Sequence, residues 1–291
     1  MIEMREFTVG DAGDGPYGIA TGPDGNLWCT LVHAGRIARI TPSGDVTLFD
    51  LDNRDAGPSV IVPGPDGALW FTRFRDGRIG RITVDGELSS SPVPSPYGLA
   101  FTPDGTLWST ELNADRLWRT PPGGGEPAPV DLPTAGAMPS MLAAAPDGAV
   151  WCTLNQADAI ARAGAGADAE VFALPTAGAA PVGIAAAPDG GAWFVEIGAG
   201  QVGRITPDGQ IFEYPLADRA ARPHAIVADP AGGCWFTEWA GNRVGHISAG
   251  GSTPRSFDLP TPGSEPHGLT IGPDGAVWVA LEIGRVARLR A

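Results

Sequence analysis

Apolar and β-branched residues come in short runs along this chain, and turn residues separate the runs at regular intervals. One stretch shows the pattern: Pro181-Val-Gly-Ile-Ala-Ala186, the turn Pro188-Asp-Gly190, Ala192-Trp-Phe-Val-Glu196, Gln201-Val-Gly-Arg-Ile205, the turn Pro207-Asp-Gly209, and Ile211-Phe-Glu-Tyr-Pro-Leu216. Four such runs predict four short strands joined by tight turns. Proline presets φ in the Pro-Asp-Gly turns, and glycine accepts φ > 0. No stretch carries the 3.6-residue periodicity of an amphipathic helix, so helical repeat arrays are excluded.

The unit recurs. Trp28, Trp70, Trp108, Trp151, Trp193, Trp235 and Trp278 mark it, at spacings of 42, 38, 43, 42, 42 and 43. A period of this length with four antiparallel strands is one propeller blade. The seventh unit stops after its third strand, near 288–291. The N-terminal Glu6-Phe-Thr-Val9 resembles the fourth strands Phe49-Asp-Leu51, Phe172-Ala-Leu174 and Phe257-Asp-Leu259. The N-terminal strand is therefore expected to complete the last blade, which removes an open sheet edge. The expected fold is all-β: a seven-bladed β-propeller, four antiparallel strands per blade, as a single domain over 1–291.

Composition narrows the function. Of 291 residues 43% are hydrophobic, enough for a core. A net charge of −14 leaves no electrostatic footprint for nucleic acid or an anionic membrane surface. No apolar run approaches the roughly 20 residues of a membrane span. The first residues lack the apolar core of a signal peptide, so a cytoplasmic location is expected, and a closed, acidic, single-domain propeller is compatible with the monomer expected here. All 19 basic residues are arginine, which excludes Schiff-base chemistry, a lysine base and a P-loop. Cys29, Cys152 and Cys234 form neither a disulfide framework nor a zinc site, and read as small buried residues.

Seven copies of one unit also serve as their own alignment. Positions alike in all copies belong to the architecture, such as the tryptophan. The third-strand arginine belongs there too: Arg39, Arg81, Arg119, Arg162, Arg204 and Arg288, with His246 in the sixth copy. His33 reads as a solvated loop histidine. Positions where a copy departs in a chemically active direction are the candidates for function. After the first-strand proline stand Tyr17, Ser59, Tyr97, Ser140, Val182, His224 and His267. Before it stand Gly15, Gly57, Ser95, Met138, Ala180, Arg222 and Glu265. Four residues past the tryptophan stand Val32, Phe74, Leu112, Asn155, Ile197, Trp239 and Glu282. Only the seventh copy is acidic in the last two columns. The first strand of a blade is innermost, so these columns are expected at the mouth of a central channel. The loop after Glu282 is also short: Trp278 to Arg285 is 7 residues, against 8 from Trp28 to Arg36.

Glu265 and Glu282 are thus expected to hold a hard divalent cation, Mg2+ rather than zinc, because no His/Cys cage exists. His267, two residues from Glu265 and placed on the same strand face by period-two alternation, is positioned to take up a proton near neutral pH. His224 and Trp239 are expected beside this cluster, with Tyr17 across the closure. The competing reading makes the histidines plain hydrogen-bonding residues and the acids a solvated edge. Tyr17 and Trp239 equally suit packing at the rim.

The units of the form P-x-G-I-A, P-D-G-x-L-W-F-T-E, R-I-G-R-I-T-P-D-G and F-x-L-P resemble the virginiamycin B (streptogramin B) lyases, over essentially the whole chain. The sharper matches are Gly15-Pro-Tyr-Gly18, Arg222-Pro-His-Ala225, Thr237-Glu-Trp239 and Ser264-Glu-Pro-His-Gly268 followed by Glu282. The resemblance implies a lyase that opens cyclic depsipeptide antibiotics at the lactone by magnesium-dependent elimination, and so confers resistance. It implies His267 as general base, Glu265 and Glu282 at the metal, and His224 and Tyr17 as substrate contacts; a channel mouth lined by Tyr17 and Trp239 is expected to seat a bulky, partly aromatic macrocycle. Elimination needs a base for the proton α to a carbonyl and an electrophile on that carbonyl. Blade two departs from the repeat at Arg73-Phe74-Arg75, which is expected to alter the far wall of the site. Two other functions fit the same residues: a metal-dependent lactonase that activates water, and a non-catalytic binding propeller.

Overall fold

The computed structural model describes residues 2–164 and 168–290. Every blade expected from the repeat is present among them as a four-stranded antiparallel sheet. Blade one is Pro16–Thr21, Leu27–Leu31, Arg36–Ile40 and Val46–Asp50. Blade two is Pro58–Pro63, Ala68–Arg73, Arg78–Thr83 and Leu88–Pro92. Blades three to six run over 96–131, 139–173, 181–215 and 223–258. Blade seven is Pro266–Ile271, Val277–Leu281, Arg285–Arg290 and the N-terminal Glu3–Thr8, which pairs antiparallel with Arg285–Arg290. The chain is thus a seven-bladed β-propeller, closed by its own N-terminal strand as the sequence predicts.

The residues fall into two compact units. The first is Met1–Pro96, Asn242–Val244 and Phe257–Ala291. It carries blades one, two and seven. The second is Tyr97–Gly241 and Gly245–Ser256. It carries blade three from Tyr97 on, blades four and five, and the first two strands of blade six.

In blades two and seven the repeated tryptophan, its cross-strand arginine and a turn aspartate form a three-residue device. Trp28 Nε1 donates to Asp24 of its own Pro-Asp-Gly turn at 3.0 Å, and Trp278 Nε1 donates to Asp274 at 3.2 Å. Arg288 is the cross-strand partner of Trp278, lies over its ring at 5.7 Å and pairs with the same Asp274. The turn aspartate thereby satisfies an indole N–H and a guanidinium at once, which a half-buried polar group requires. In the second unit His246 fills the arginine's place. It lies 4.2 Å from the Trp235 ring and 2.9 Å from Asp229, so its role is architectural.

The tryptophans also join blades. Trp278 stacks on Phe7 and shares a buried cluster with Ile19, Leu27 and Leu31 of blade one. Trp28 packs with Leu69, Phe71 and Ala56 of blade two. Both indoles are fully buried, and truncating such a side chain costs about 3–5 kcal/mol. Inner strands approach even more closely. A Cβ on Gly268 would lie 2.6 Å from the Tyr17 carbonyl oxygen, and one on Gly18 would collide with the Ser59 carbonyl. Thr30 Oγ1 bridges the latter pair, accepting from Gly18 N at 2.8 Å and donating to Ser59 O at 2.7 Å. These contacts fix the first strand of blade seven against that of blade one.

Candidate active site

The first strand of blade seven opens with an irregularity that aims its side chains. Glu265 precedes Pro266 and has φ +49, the left-handed region. The residues in the same column behave alike, from Gly15 at +66 and Gly57 at +61 to Arg222 at +50. A register shift follows between Pro266 and Leu269. Period-two alternation therefore does not bring Glu265 and His267 together. A left-handed residue followed by a bulge does, since both re-aim side chains. The turn into Glu265 is anchored by Asn242, whose Oδ1 accepts from Ser264 N at 2.8 Å and Ser264 Oγ at 2.6 Å. The end of the second strand is tied in by Glu282 N, which donates to Glu265 O at 3.3 Å.

The three blade-seven side chains converge. Glu265, His267 and Glu282 each offer a ligand atom, and these atoms lie within 4.8 Å of one another. His267 is 7% exposed, and its Nε2 lies 2.6 Å from Glu282 Oε2. The hydrogen bond from His267 outweighs the effect of burial and, with His33, holds the Glu282 carboxyl down to about 2. Glu282 is therefore a carboxylate across the neutral range and accepts hydrogen bonds only. Tyr17 stands against this group, with its ring centroid 4.5 Å from that of His267. His224 lies in the first strand of blade six. Both it and Trp239 belong to the second unit, where Arg222 sits over the Trp239 indole at 6.0 Å.

Two residues join the cluster that the sequence placed elsewhere. His33 does not simply face solvent: its Nε2 is 2.8 Å from Glu282 Oε1. Arg75 Nη2 is 3.5 Å from His33 Nδ1. Arg73, by contrast, turns into blade two. It is 3% exposed and pairs with Asp52 at 2.7 Å and with Asp76. The thiols take no part in the cluster. Cys29, Cys152 and Cys234 are free and buried, and burial pushes the Cys29 thiol up to about 12.

The donor set fits a hard cation. Two carboxylates and one imidazole meet on one partly open face, without thiolate, and oxygen donors of this kind suit divalent ions that retain water or substrate in their shell.

Comparison with known proteins places this chain in a family. The model of the Virginiamycin B lyase family matches residues 2–289. A Virginiamycin B lyase of Saccharopolyspora erythraea is 57% identical over 51 residues, 18% of this chain and 17% of that protein. That stretch is less than a fifth of the curated relative's length. Solved structures match throughout. A streptogramin B lyase structure superposes with TM-score 0.94 at 36% identity, covering 99% of this chain and 97% of the other. A catalytically inactive His-to-Ala variant of the Staphylococcus aureus virginiamycin B lyase, crystallised with quinupristin, superposes with TM-score 0.94 at 33% identity and covers both chains completely (100% each).

Proposed function

Because this chain belongs to the virginiamycin B lyase family, we propose that it linearises streptogramin B-type cyclic depsipeptides by elimination at the lactone. The observation that carries the reading is the meeting of Glu265, His267 and Glu282 within 4.8 Å, with Tyr17 against the imidazole. The inactivity of a His-to-Ala variant in the Staphylococcus aureus enzyme supports a histidine at the chemical step.

In the proposed reaction a C–H bond breaks next to the carbon that bears the ester oxygen. Its electron pair becomes the C=C bond, the C–O bond breaks, and the acyl group leaves as a carboxylate. No water is consumed. The His267 imidazole takes the proton, and the ionised Glu282 at 2.6 Å stabilises the imidazolium that results. Glu265 and Glu282 are the residues to hold Mg2+, and a bound dication supplies a Lewis acid for a carbonyl oxygen as enolate charge develops. Tyr17 offers an aromatic face beside the base. His224 and Trp239 are proposed as further substrate contacts. A cytoplasmic monomer completes the reading, which three free cysteines suit.

Incubation with quinupristin, with and without EDTA, tests it. The expected product is an isomer of the substrate, formed only without EDTA and not by His267→Ala. A product heavier by one water identifies a lactonase instead, and intact quinupristin in both tubes identifies a binding propeller.

A further inference from the structure

His33 and Glu282 come from different blades, yet the closure seats them together. Gly284, two residues past Glu282, accepts from Val9 N at 2.9 Å and Gly10 N at 3.2 Å. This ties the short blade-seven loop to the segment that leads into blade one. At the end of that segment stands Gly15, with φ +66. A Cβ there would collide with His33 Cδ2, so the glycine leaves the imidazole its seat. The His33 backbone is held as well, its N donating to Asp14 O at 3.1 Å.

The hydrogens on this ring can be assigned from its neighbours. A guanidinium has donors only. The 3.5 Å contact therefore runs from Arg75 to His33 Nδ1, and Nε2 keeps the hydrogen in the neutral ring. Nε2 then donates to Glu282 Oε1 at 2.8 Å, while Glu282 Oε2 faces His267 at 2.6 Å. The two carboxylate oxygens are thus told apart by two different imidazoles.

We propose that His33 is a positioning residue: it holds Glu282 Oε1 so that Oε2 is presented to His267 and Glu265, and Arg75 sets the tautomer that allows it. This rests on the reading of Glu265, His267 and Glu282 as the cation site. Outer groups that orient a metal-binding carboxylate in this way are worth 10–100-fold in metal affinity. His33 sits in a loop with its side chain 42% exposed, so its replacement leaves the core packing untouched.

The test is a titration with Mn2+, a hard divalent probe, followed by electron paramagnetic resonance of the free ion and needing no turnover. The wild-type protein is expected to bind one Mn2+ that Glu265→Gln releases. His33→Ala is expected to weaken binding by about 10–100-fold. His33→Gln keeps an N–H at similar reach and is expected to restore most of it. Unchanged affinity in His33→Ala, with normal wild-type binding, overturns the positioning role and leaves the metal site standing. A His33→Gln variant as weak as His33→Ala overturns the hydrogen bond as its cause. No binding by the wild-type protein overturns the metal site and this role together.

Discussion

Replacing Glu265 by alanine and by glycine separates the backbone's preference at this position from the chemistry of the carboxylate. Glu265 has φ +49, where a residue with a Cβ carries about 1–2 kcal/mol of strain. Alanine keeps that strain and glycine removes it. Glycine also gives the unfolded chain more freedom, which costs about 0.5–1 kcal/mol. The difference leaves Glu265→Gly more stable than Glu265→Ala by about 0.5–1 kcal/mol, close to 2 °C in Tm for a chain of this size. Both variants lose the carboxylate equally, so its interaction with Glu282 cancels between them. The melts belong in EDTA, because a bound cation would stabilise only a protein that retains its ligand. Neither variant is expected to bind the cation or turn over substrate. Equal melting temperatures, or a higher one for Glu265→Ala, would refute the claim that the backbone here is held in an unfavourable region.

Three further outcomes follow from named contacts. Gly268→Ala drives a Cβ to 2.6 Å from the Tyr17 carbonyl; overpacking of backbone against backbone predicts a loss of about 1–3 kcal/mol, read by denaturant unfolding, and a separate fall in turnover because Tyr17 faces His267. Burial pushes the Glu196 carboxyl up to about 8, so the stability it contributes is complete below its unfolded value of 4.5 and lost as pH rises through 8. At pH 7 that loss is about 3 kcal/mol, and Glu196→Gln should flatten the fall in Tm between pH 5 and 8; parallel curves would contradict it. Asp274→Ala strands the Trp278 indole N–H and Arg288 together and should cost about 1–3 kcal/mol, with Asp274→Asn recovering part of it.

The sequence carried the architecture because every blade repeats the same solution. The Trp and Arg columns are visible as periodic residues, and the structure explains them as cross-strand partners, which in blades two and seven share a turn aspartate. Glu265 and Glu282 were legible for the opposite reason, since one copy departs from six in a chemically active direction, and His267 because only the sixth and seventh copies place a histidine in its column. His33 was not. Five residues past each tryptophan stand His33, Arg75, Asn113, Gln156, Gly198, Ala240 and Ile283, a column without a common residue, so no member could register as a departure. Its partner lies 249 positions away, and only the closing strand makes those blades neighbours. The left-handed column was hidden too. Ser95, Met138, Ala180, Arg222 and Glu265 all have φ between +39 and +51, a conformation that none of these residue types announces.

Chemistry enters this fold by side-chain replacement on a backbone feature that the blades share. The residue before the first-strand proline is left-handed, and its carbonyl accepts from the amide four residues past the tryptophan. Gly15 and Val32 are so joined, as are Gly57 and Phe74, Met138 and Asn155, Arg222 and Trp239, and Glu265 and Glu282. Each of these blades therefore holds two residues next to each other at a fixed spacing. Blades one and two place glycine at the left-handed position and avoid the strain. Blade seven accepts it and fills both positions with acidic side chains. A buried Trp278 stacked on Phe7 of the closing strand offsets more than that. Closure and the proposed site are linked for this reason. The strand that removes the open edge also supplies Phe7, and the segment after it carries Gly15 and Tyr17 to the carboxylate pair. Weakening the closing strand should therefore disturb cation binding before it unfolds the remaining blades.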